Sequence, residues 1–151
     1  MNAFANILAA FGSHIGMEGL CPDEKGSCAL QFDDVVVNLE YSGEEDILYI
    51  YSRVRGLPED DADRLTLYGF LLELNSFFKG TDGGVLGIEP SLDAVTYTVR
   101  TPLASLDEIG LDALLGRHVN AVESLRASIE ELGNRPVAGE ETRWTGDMLR
   151  I

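Results

Sequence analysis

The glycine-rich run Lys79-Gly80-Thr81-Asp82-Gly83-Gly84 is the first segment whose residue types could bind a ligand. Backbone N–H groups in such a run can hold phosphate. A phosphate-binding loop, however, ends in Gly-Lys-Ser/Thr and leads from a strand into a helix. This run lacks that ending, and it follows a predicted helix and precedes a predicted strand. A helix-to-strand turn is the better interpretation, and we predict no cofactor for this chain.

A zinc site is the second chemistry to consider. His14, Cys21 and Cys28 carry the nitrogen and sulfur ligands that zinc prefers. No two of them have the tight spacing of a zinc motif, and a fourth ligand is not evident, so we predict no metal site. We expect Cys28 to pack as a small apolar residue. Two cysteines make no disulfide framework, which favours a reducing cytosol.

Acid–base catalysis is the third chemistry. His118 lies between Leu115 and Val122 in a predicted helix, and no motif ties a nucleophile to it. The acidic runs 33–34 and 44–46 fall in turns, where solvated carboxylates are the norm, and catalytic carboxylates need a cleft. We therefore predict that the protein is not an enzyme. A hydrolase that uses His118 and nearby carboxylates is kept as the weaker alternative.

Length, composition and net charge limit the classes of partner that this chain can bind. The 151 residues are 45% hydrophobic and carry a net charge of −15, from 26 acidic and 11 basic residues. That length favours one domain with a real core. The negative charge argues against binding nucleic acid or an anionic membrane. The first 19 residues lack a cationic leader and are periodic rather than continuously apolar, so we expect neither a signal peptide nor a membrane span, and a cytoplasmic protein.

Apolar periodicity predicts three helices and five strands. In order they are helix 4–15, strands 27–32, 35–41 and 47–54, helix 60–80, strands 85–89 and 94–100, and a helix up to residue 132. The capping-box spacing of Ser105 and Glu108 marks the start of the last helix. These elements predict an α+β fold, α-β-β-β-α-β-β-α, with a twisted, mainly antiparallel five-stranded sheet. Residues 1–133 form the predicted domain, and residues 134–151 a flexible tail.

The helix predicted over residues 60–80 is too apolar for a single neighbour to cover. On a helical wheel, Leu65, Tyr68 and Leu72 adjoin a larger apolar arc. That arc comprises Leu67, Phe70, Leu71, Leu74, Phe77 and Phe78. Either the domain covers both sides of the helix, or a second copy of the chain covers one of them; we favour the second copy. Because apolar patches and sheet edges bind protein segments, the residues predict a dimeric protein-binding domain.

Three runs resemble class I type III secretion chaperones, the Tir-chaperone family. The run from Asp23 to Asp34 resembles the first hairpin of that family. The runs from Leu71 to Phe78 and from Gly80 to Pro90 resemble its central helix and the strand after it. Element order, chain length and acidic composition also agree, and the resemblance covers roughly residues 1–132. None of these motifs is catalytic.

The resemblance implies a cytoplasmic homodimer that binds the N-terminal region of a secreted effector and keeps it soluble and competent for export. It implies delivery to the secretion apparatus, with the secretion ATPase as a further partner, and no cofactor, metal, nucleic acid or membrane. Carried over by position, the dimer interface comprises Leu67, Phe70, Leu71, Leu74, Phe77, Phe78 and Leu86. The effector-binding residues are Phe4, Leu8, Phe11, Val35, Val37, Tyr49 and Tyr51. A dimeric adaptor outside secretion is the alternative of the same fold.

Overall fold

Three α-helices and five strands make up the described part of the chain, in the predicted order. The computed structural model describes residues 2–133, and the predicted tail 134–151 lies outside these residues. The helices are α1 (Ala3–Ile15), α2 (Asp61–Asn75) and α3 (Glu108–Leu132); the strands are β1 (Ser27–Phe32), β2 (Val35–Ser42), β3 (Ile47–Gly56), β4 (Val85–Glu89) and β5 (Ala94–Pro102). The predicted α+β class is confirmed. None of the described helices has the length and apolar character needed to cross a bilayer.

The five strands form one sheet in the order β1-β2-β3-β5-β4, and all neighbouring strands are antiparallel. β1 and β4 are therefore its edges. Successive side chains alternate between two faces. The inner face carries Leu39, Ile50 and Tyr97, which are buried, whereas Tyr49 and Tyr51 point to the outer face. The helices can cover only the face on which the apolar residues lie, so the alternation fixes the side on which the core forms.

The two terminal helices pack against each other and cover the core. The Oδ1 atom of Asn2 accepts a hydrogen bond of 2.8 Å from the Ala5 N–H at the start of α1. Gly16 ends that helix in the left-handed region, with φ of 78°. The α3 helix starts differently from the prediction. Asp107 is its N-cap and accepts from the Gly110 N–H at 2.7 Å, whereas the Ser105 hydroxyl donates to the Pro102 carbonyl.

Arg126 fastens α3 to the end of β3. Its Nε donates to the Val54 carbonyl at 2.9 Å, and its Nη2 donates to the Arg53 carbonyl at 3.0 Å. The same guanidinium lies 3.3 Å from a carboxylate oxygen of Asp34, in the turn between β1 and β2. A β-bulge between Arg53 and Arg55 interrupts the ladder here. The guanidinium of Arg126 thus donates hydrogen bonds to carbonyl groups at the bulge, where the regular ladder is interrupted.

The central helix is shorter than the prediction of residues 60–80. It begins after Asp60, whose carboxylate accepts from the Asp63 N–H at 3.1 Å, and it ends at Asn75. A single 3₁₀ turn follows over residues 76–78, in which Phe77 and Phe78 have φ values of 55° and 56°. The Gly80 N–H closes the turn on the Leu74 carbonyl at 3.1 Å. The chain turns here because it must return to pair β4 with β5.

Candidate protein-binding surfaces

Exposed apolar side chains gather on α2 and the segment that follows it. Among the described residues, nine large apolar side chains are exposed, and five of them belong to this region. We call these five the α2 surface: Leu65, Leu72, Phe77, Phe78 and Val85, each between 51% and 73% exposed. Leu65 and Leu72 are two helical turns apart and therefore lie on the same side of α2. Apolar surface of this kind marks a site of protein contact.

The residues predicted for the dimer interface separate into two groups. Leu67, Phe70, Leu71 and Leu86 are buried within one subunit, and Leu74 is half-buried against the same core. These five hold α2 on the sheet, so assigning them to contacts with a second subunit has to be corrected. Phe77 and Phe78 are exposed, but on a turn rather than on the arc of the wheel, because α2 ends before them.

The predicted effector-binding residues require a similar correction. Phe4, Leu8, Phe11, Val35 and Val37 are all 0% exposed and belong to the core. The apolar stripe of α1 is used to cover the inner face of the sheet, so it presents no surface to a partner. Half-buried apolar side chains border the core instead, among them Ile7 of α1 with Cys28 and Phe32 of β1. Tyr49 and Tyr51 remain accessible, since both are half-buried on the outer face.

The edge strand β1 presents backbone hydrogen-bonding groups outward. The Ser27 N–H donates to Asp23 Oδ1 at 2.9 Å, and the Ser27 carbonyl accepts from the Asp23 N–H at 2.8 Å. Both backbone groups of Ser27 therefore face away from β2. Because orientation alternates along a strand, Ala29 and Gln31 turn their N–H and C=O groups outward as well. Both residues are exposed, so this edge can receive another strand.

The other edge of the sheet is covered in part by a side chain. Asn75 Nδ2 donates to the Leu86 carbonyl, and the Leu86 N–H donates to Asn75 Oδ1, both at 2.8 Å. The amide thus occupies the two outward-facing backbone groups of Leu86 as a neighbouring strand would. Sheet edges left open invite pairing with other chains, and covering them is a common protection. By the same alternation Ile88 also turns its N–H and C=O groups outward, so the β4 edge is covered at Leu86 but not along its whole length.

Asn75→Ala is expected to lower the free energy of unfolding by about 2 kcal/mol, because it leaves two part-buried backbone groups of Leu86 unpaired. Urea denaturation at fixed protein concentration measures the loss. Asn120→Ala is the matched control, since Asn120 is exposed on α3. Equal free energies of unfolding for the two variants would show that the hydrogen bonds from Asn75 to Leu86 do not stabilise the protein.

His118 and Ser52 form a buried pair. Their Nε2 and Oγ atoms are 2.9 Å apart, and the Ser52 hydroxyl also donates to the Val36 carbonyl at 2.7 Å. Ser52 therefore accepts the hydrogen bond from His118, and Nδ1 carries no proton. That atom has no hydrogen-bond partner among the described residues. Burial lowers the pKa of His118 from 6.5 to about 4.

This geometry does not suit the hydrolase alternative. A catalytic serine gives its proton to the imidazole, whereas this hydroxyl gives its proton to a backbone carbonyl. Ser52 is 0% and His118 2% exposed, so a substrate has no access to either side chain. The pair instead links α3 to β3 and, through Val36, to β2.

The other residues considered for chemistry have structural partners or lie apart. His14 Nε2 lies 3.4 Å from the Asp112 carboxylate, which joins the end of α1 to the start of α3. Cys21 is exposed and Cys28 is half-buried; burial raises the pKa of Cys28, with Cys21 and Asp23 adding to the effect. Within the described residues there is no group of three or more metal-binding side chains. The glycine-rich run forms the turn between residues 76–78 and β4, and Asp82 there bonds to Arg117 at 3.2 Å.

Several solved protein complexes contain a chain with the same fold. A chain of the ExsC–ExsE complex aligns with a TM-score of 0.69 and 24% identity, over 82% of this chain and 90% of that chain. A chain of the complex between the Yersinia pestis type III secretion chaperone SycH and a stable fragment of YscM2 aligns with a TM-score of 0.62 and 20% identity, over 81% and 98%. A chain of the Pseudomonas aeruginosa ExoU–SpcU complex aligns with a TM-score of 0.61 and 14% identity, over 83% and 96%.

Sequence comparison gives the family directly. No individually curated protein matches this chain. Residues 6–126, by contrast, match the model of the Tir chaperone protein family, CesT. The match includes α1 from Asn6 onward, all five strands, α2 and most of α3. The resemblance found in the sequence is confirmed: the chain belongs to the Tir chaperone (CesT) family.

Proposed function

We propose that this protein is a chaperone for a type III secreted effector, which acts as a cytoplasmic homodimer. It binds the N-terminal region of the effector, keeps that region soluble and extended, and delivers it to the secretion apparatus and its ATPase. The family match over residues 6–126 carries this proposal. The solved complexes of chains with this fold, in which ExsC is bound to ExsE and SycH to a fragment of YscM2, support it.

The open edge at β1 offers a way to bind an extended client. Ordering a client backbone costs about 1–2 kcal/mol per residue, so side-chain contacts must be supplemented by main-chain hydrogen bonds. A client strand beside β1 pairs with the outward groups of Ala29 and Gln31. Its alternate side chains then lie along Cys28 and Phe32 at the border of the core. The client segment we expect therefore alternates apolar and polar residues.

The α2 surface is the face through which we expect two subunits to associate. A symmetric dimer uses the same patch twice and presents two open β1 edges. A client that reaches both copies gains effective concentration at the second site. The net charge of −15 keeps a molecule with this much apolar surface from aggregating.

Co-expression with the candidate effector encoded nearest to the chaperone gene tests the function. The effector is expected to be soluble and to co-purify with two copies of this chain, and to aggregate when it is expressed alone. The identity of the protein that co-purifies with this chain from its native cells distinguishes the secretion chaperone from the adaptor outside secretion. A secreted effector supports the secretion chaperone, and a partner that is never exported supports the adaptor. A monomer that retains no client contradicts the proposal.

Ala29→Pro is expected to weaken client binding by about tenfold or more, because proline removes the outward N–H at the open edge and leaves the ladder with β2 in place. Ala29→Thr is the matched control, since threonine keeps the N–H and favours strands. Isothermal titration with the purified client segment measures the affinity, and circular dichroism checks the fold. Equal affinity of the two variants would remove β1 from the binding mechanism.

A further inference from the structure

A groove on the outer face of the sheet runs from the middle of β2 to the turn that joins β4 to β5. Its volume is about 470 Å³. The residues that matter for its chemistry are Glu40, Tyr51, Glu89, Leu92, Thr96 and Thr98. Tyr51 lies opposite Thr98 in the β3–β5 pairing, so an aromatic ring stands beside a hydroxyl at the centre of the groove. Leu92, which is exposed, provides an apolar rim.

The two carboxylates of the groove have no cation beside them among the described residues. Among the described residues, neither Glu40 nor Glu89 takes part in an ion pair. The Ser91 hydroxyl and N–H both donate to Glu89 Oε1, at 2.6 and 3.1 Å, and these bonds lower the pKa of Glu89. Glu89 is therefore negatively charged at neutral pH. Glu40 is close enough to Tyr51 to raise the pKa of the phenol, after the larger effect of burial.

The nearest arginines on the same face do not line the groove. Arg53 lies with its Nη2 beside Gly56, 3.0 Å from where a Cβ of that residue would be. Arg100 lies opposite Tyr49, two residue pairs away from Tyr51 and Thr98 along β3 and β5. The lining thus combines two carboxylates, an aromatic ring and an aliphatic rim, which together suit a cationic side chain with an apolar stem.

We infer that this groove binds an arginine side chain of the client, and the inference rests on the proposed chaperone function. The planar guanidinium stacks on Tyr51 and bonds to Glu40, while the stem lies along the apolar rim at Leu92. Glu89 adds negative potential at the other end of the groove. Strand pairing at β1 does not read side-chain charge, so this groove gives the chaperone a means of choosing among extended segments.

The test uses the full chain and N-acetyl-arginine methylamide as the probe. In an NMR titration we expect saturable shifts of the Tyr51, Thr96 and Thr98 amides, and an affinity about tenfold lower for the neutral citrulline analogue. The double variant Glu40→Gln with Glu89→Gln is expected to lose about the same factor. The matched control, Glu24→Gln with Glu123→Gln, changes the net charge equally at exposed sites outside the groove.

A second variant separates charge from shape. Gly87 pairs with Thr96 of the lining, and a Cβ at Gly87 meets only Thr96 Oγ1 at 3.9 Å, so Gly87→Val adds apolar volume beside Thr96. The Gly87→Val variant is expected to reduce binding of the arginine probe while the net charge of the protein stays the same. Equal binding of arginine and citrulline probes, or equal effects of the two double variants, would overturn the inference. The chaperone function is judged separately, by whether the client stays soluble with this chain, and it survives failure of the groove.

Discussion

Leu72→Asp is expected to convert the proposed homodimer into a folded monomer. Leu72 is 71% exposed on α2, so the aspartate costs the isolated subunit little. In an interface built on the α2 surface, two symmetry-related carboxylates would be buried without partners. Such a burial costs about 3 kcal/mol or more, which weakens association by more than about 100-fold.

Sedimentation equilibrium over a range of concentrations measures this effect. Ile109→Asp is the control, because Ile109 is also exposed but lies at the start of α3, outside the α2 surface. Both variants should keep the circular dichroism of the wild type. A Leu72→Asp protein that remains dimeric would show that the subunits meet elsewhere, and dissociation by the control would show that the effect is unspecific.

Acidification is expected to destabilise the protein through His118. The pKa of His118 is about 4 in the folded protein, because burial disfavours the charged imidazolium. In the unfolded chain the side chain keeps the ordinary value of 6.5. Its stabilising contribution is therefore complete above pH 6.5 and is lost as the pH falls toward 4. A shift of this size corresponds to about 3 kcal/mol in the free energy of unfolding by pH 4.

The His118→Gln variant isolates this contribution. Glutamine can still donate to Ser52 but does not titrate, so the difference in stability between wild type and variant should change with pH between 7.5 and 4. His14→Gln is the control, because His14 is exposed at the end of α1. Urea denaturation at fixed protein concentration supplies the free energies. Parallel pH profiles for wild type and His118→Gln would contradict the assigned protonation state.

Local signals in the sequence were sufficient for the order of elements. Alternation in 35–41 and 47–54 and the stripe of Phe4, Leu8 and Phe11 are properties of neighbouring residues, and these segments form strands and a helix as predicted. The same signals do not say which apolar face is covered by the protein itself. The apolar stripe of α1 is buried in the core, and only the packing of the helices against the sheet reveals that Ile7 and Phe32 lie at the border of that core.

The end of α2 could not be predicted from periodicity. Residues 76–78 continue the apolar pattern, so a wheel extends the helix through them. The helix ends because Asn75 bonds to Leu86, eleven residues away, and because Gly80 turns back onto Leu74. Long-range hydrogen bonds of this kind have no local signature. The dimer-interface and effector-binding residues depended on such packing, which is why they needed the larger corrections.

A single carboxamide shortens the free edge of this sheet at β4. By taking the place of a sixth strand at Leu86, Asn75 leaves Ile88 as the remaining residue of β4 with outward backbone groups, whereas β1 offers both Ala29 and Gln31. A strand added at β4 can therefore form fewer main-chain hydrogen bonds than one added at β1. This difference favours pairing at β1 over growth of the sheet from both edges, and growth from both edges is what would link copies of the chain into a polymer.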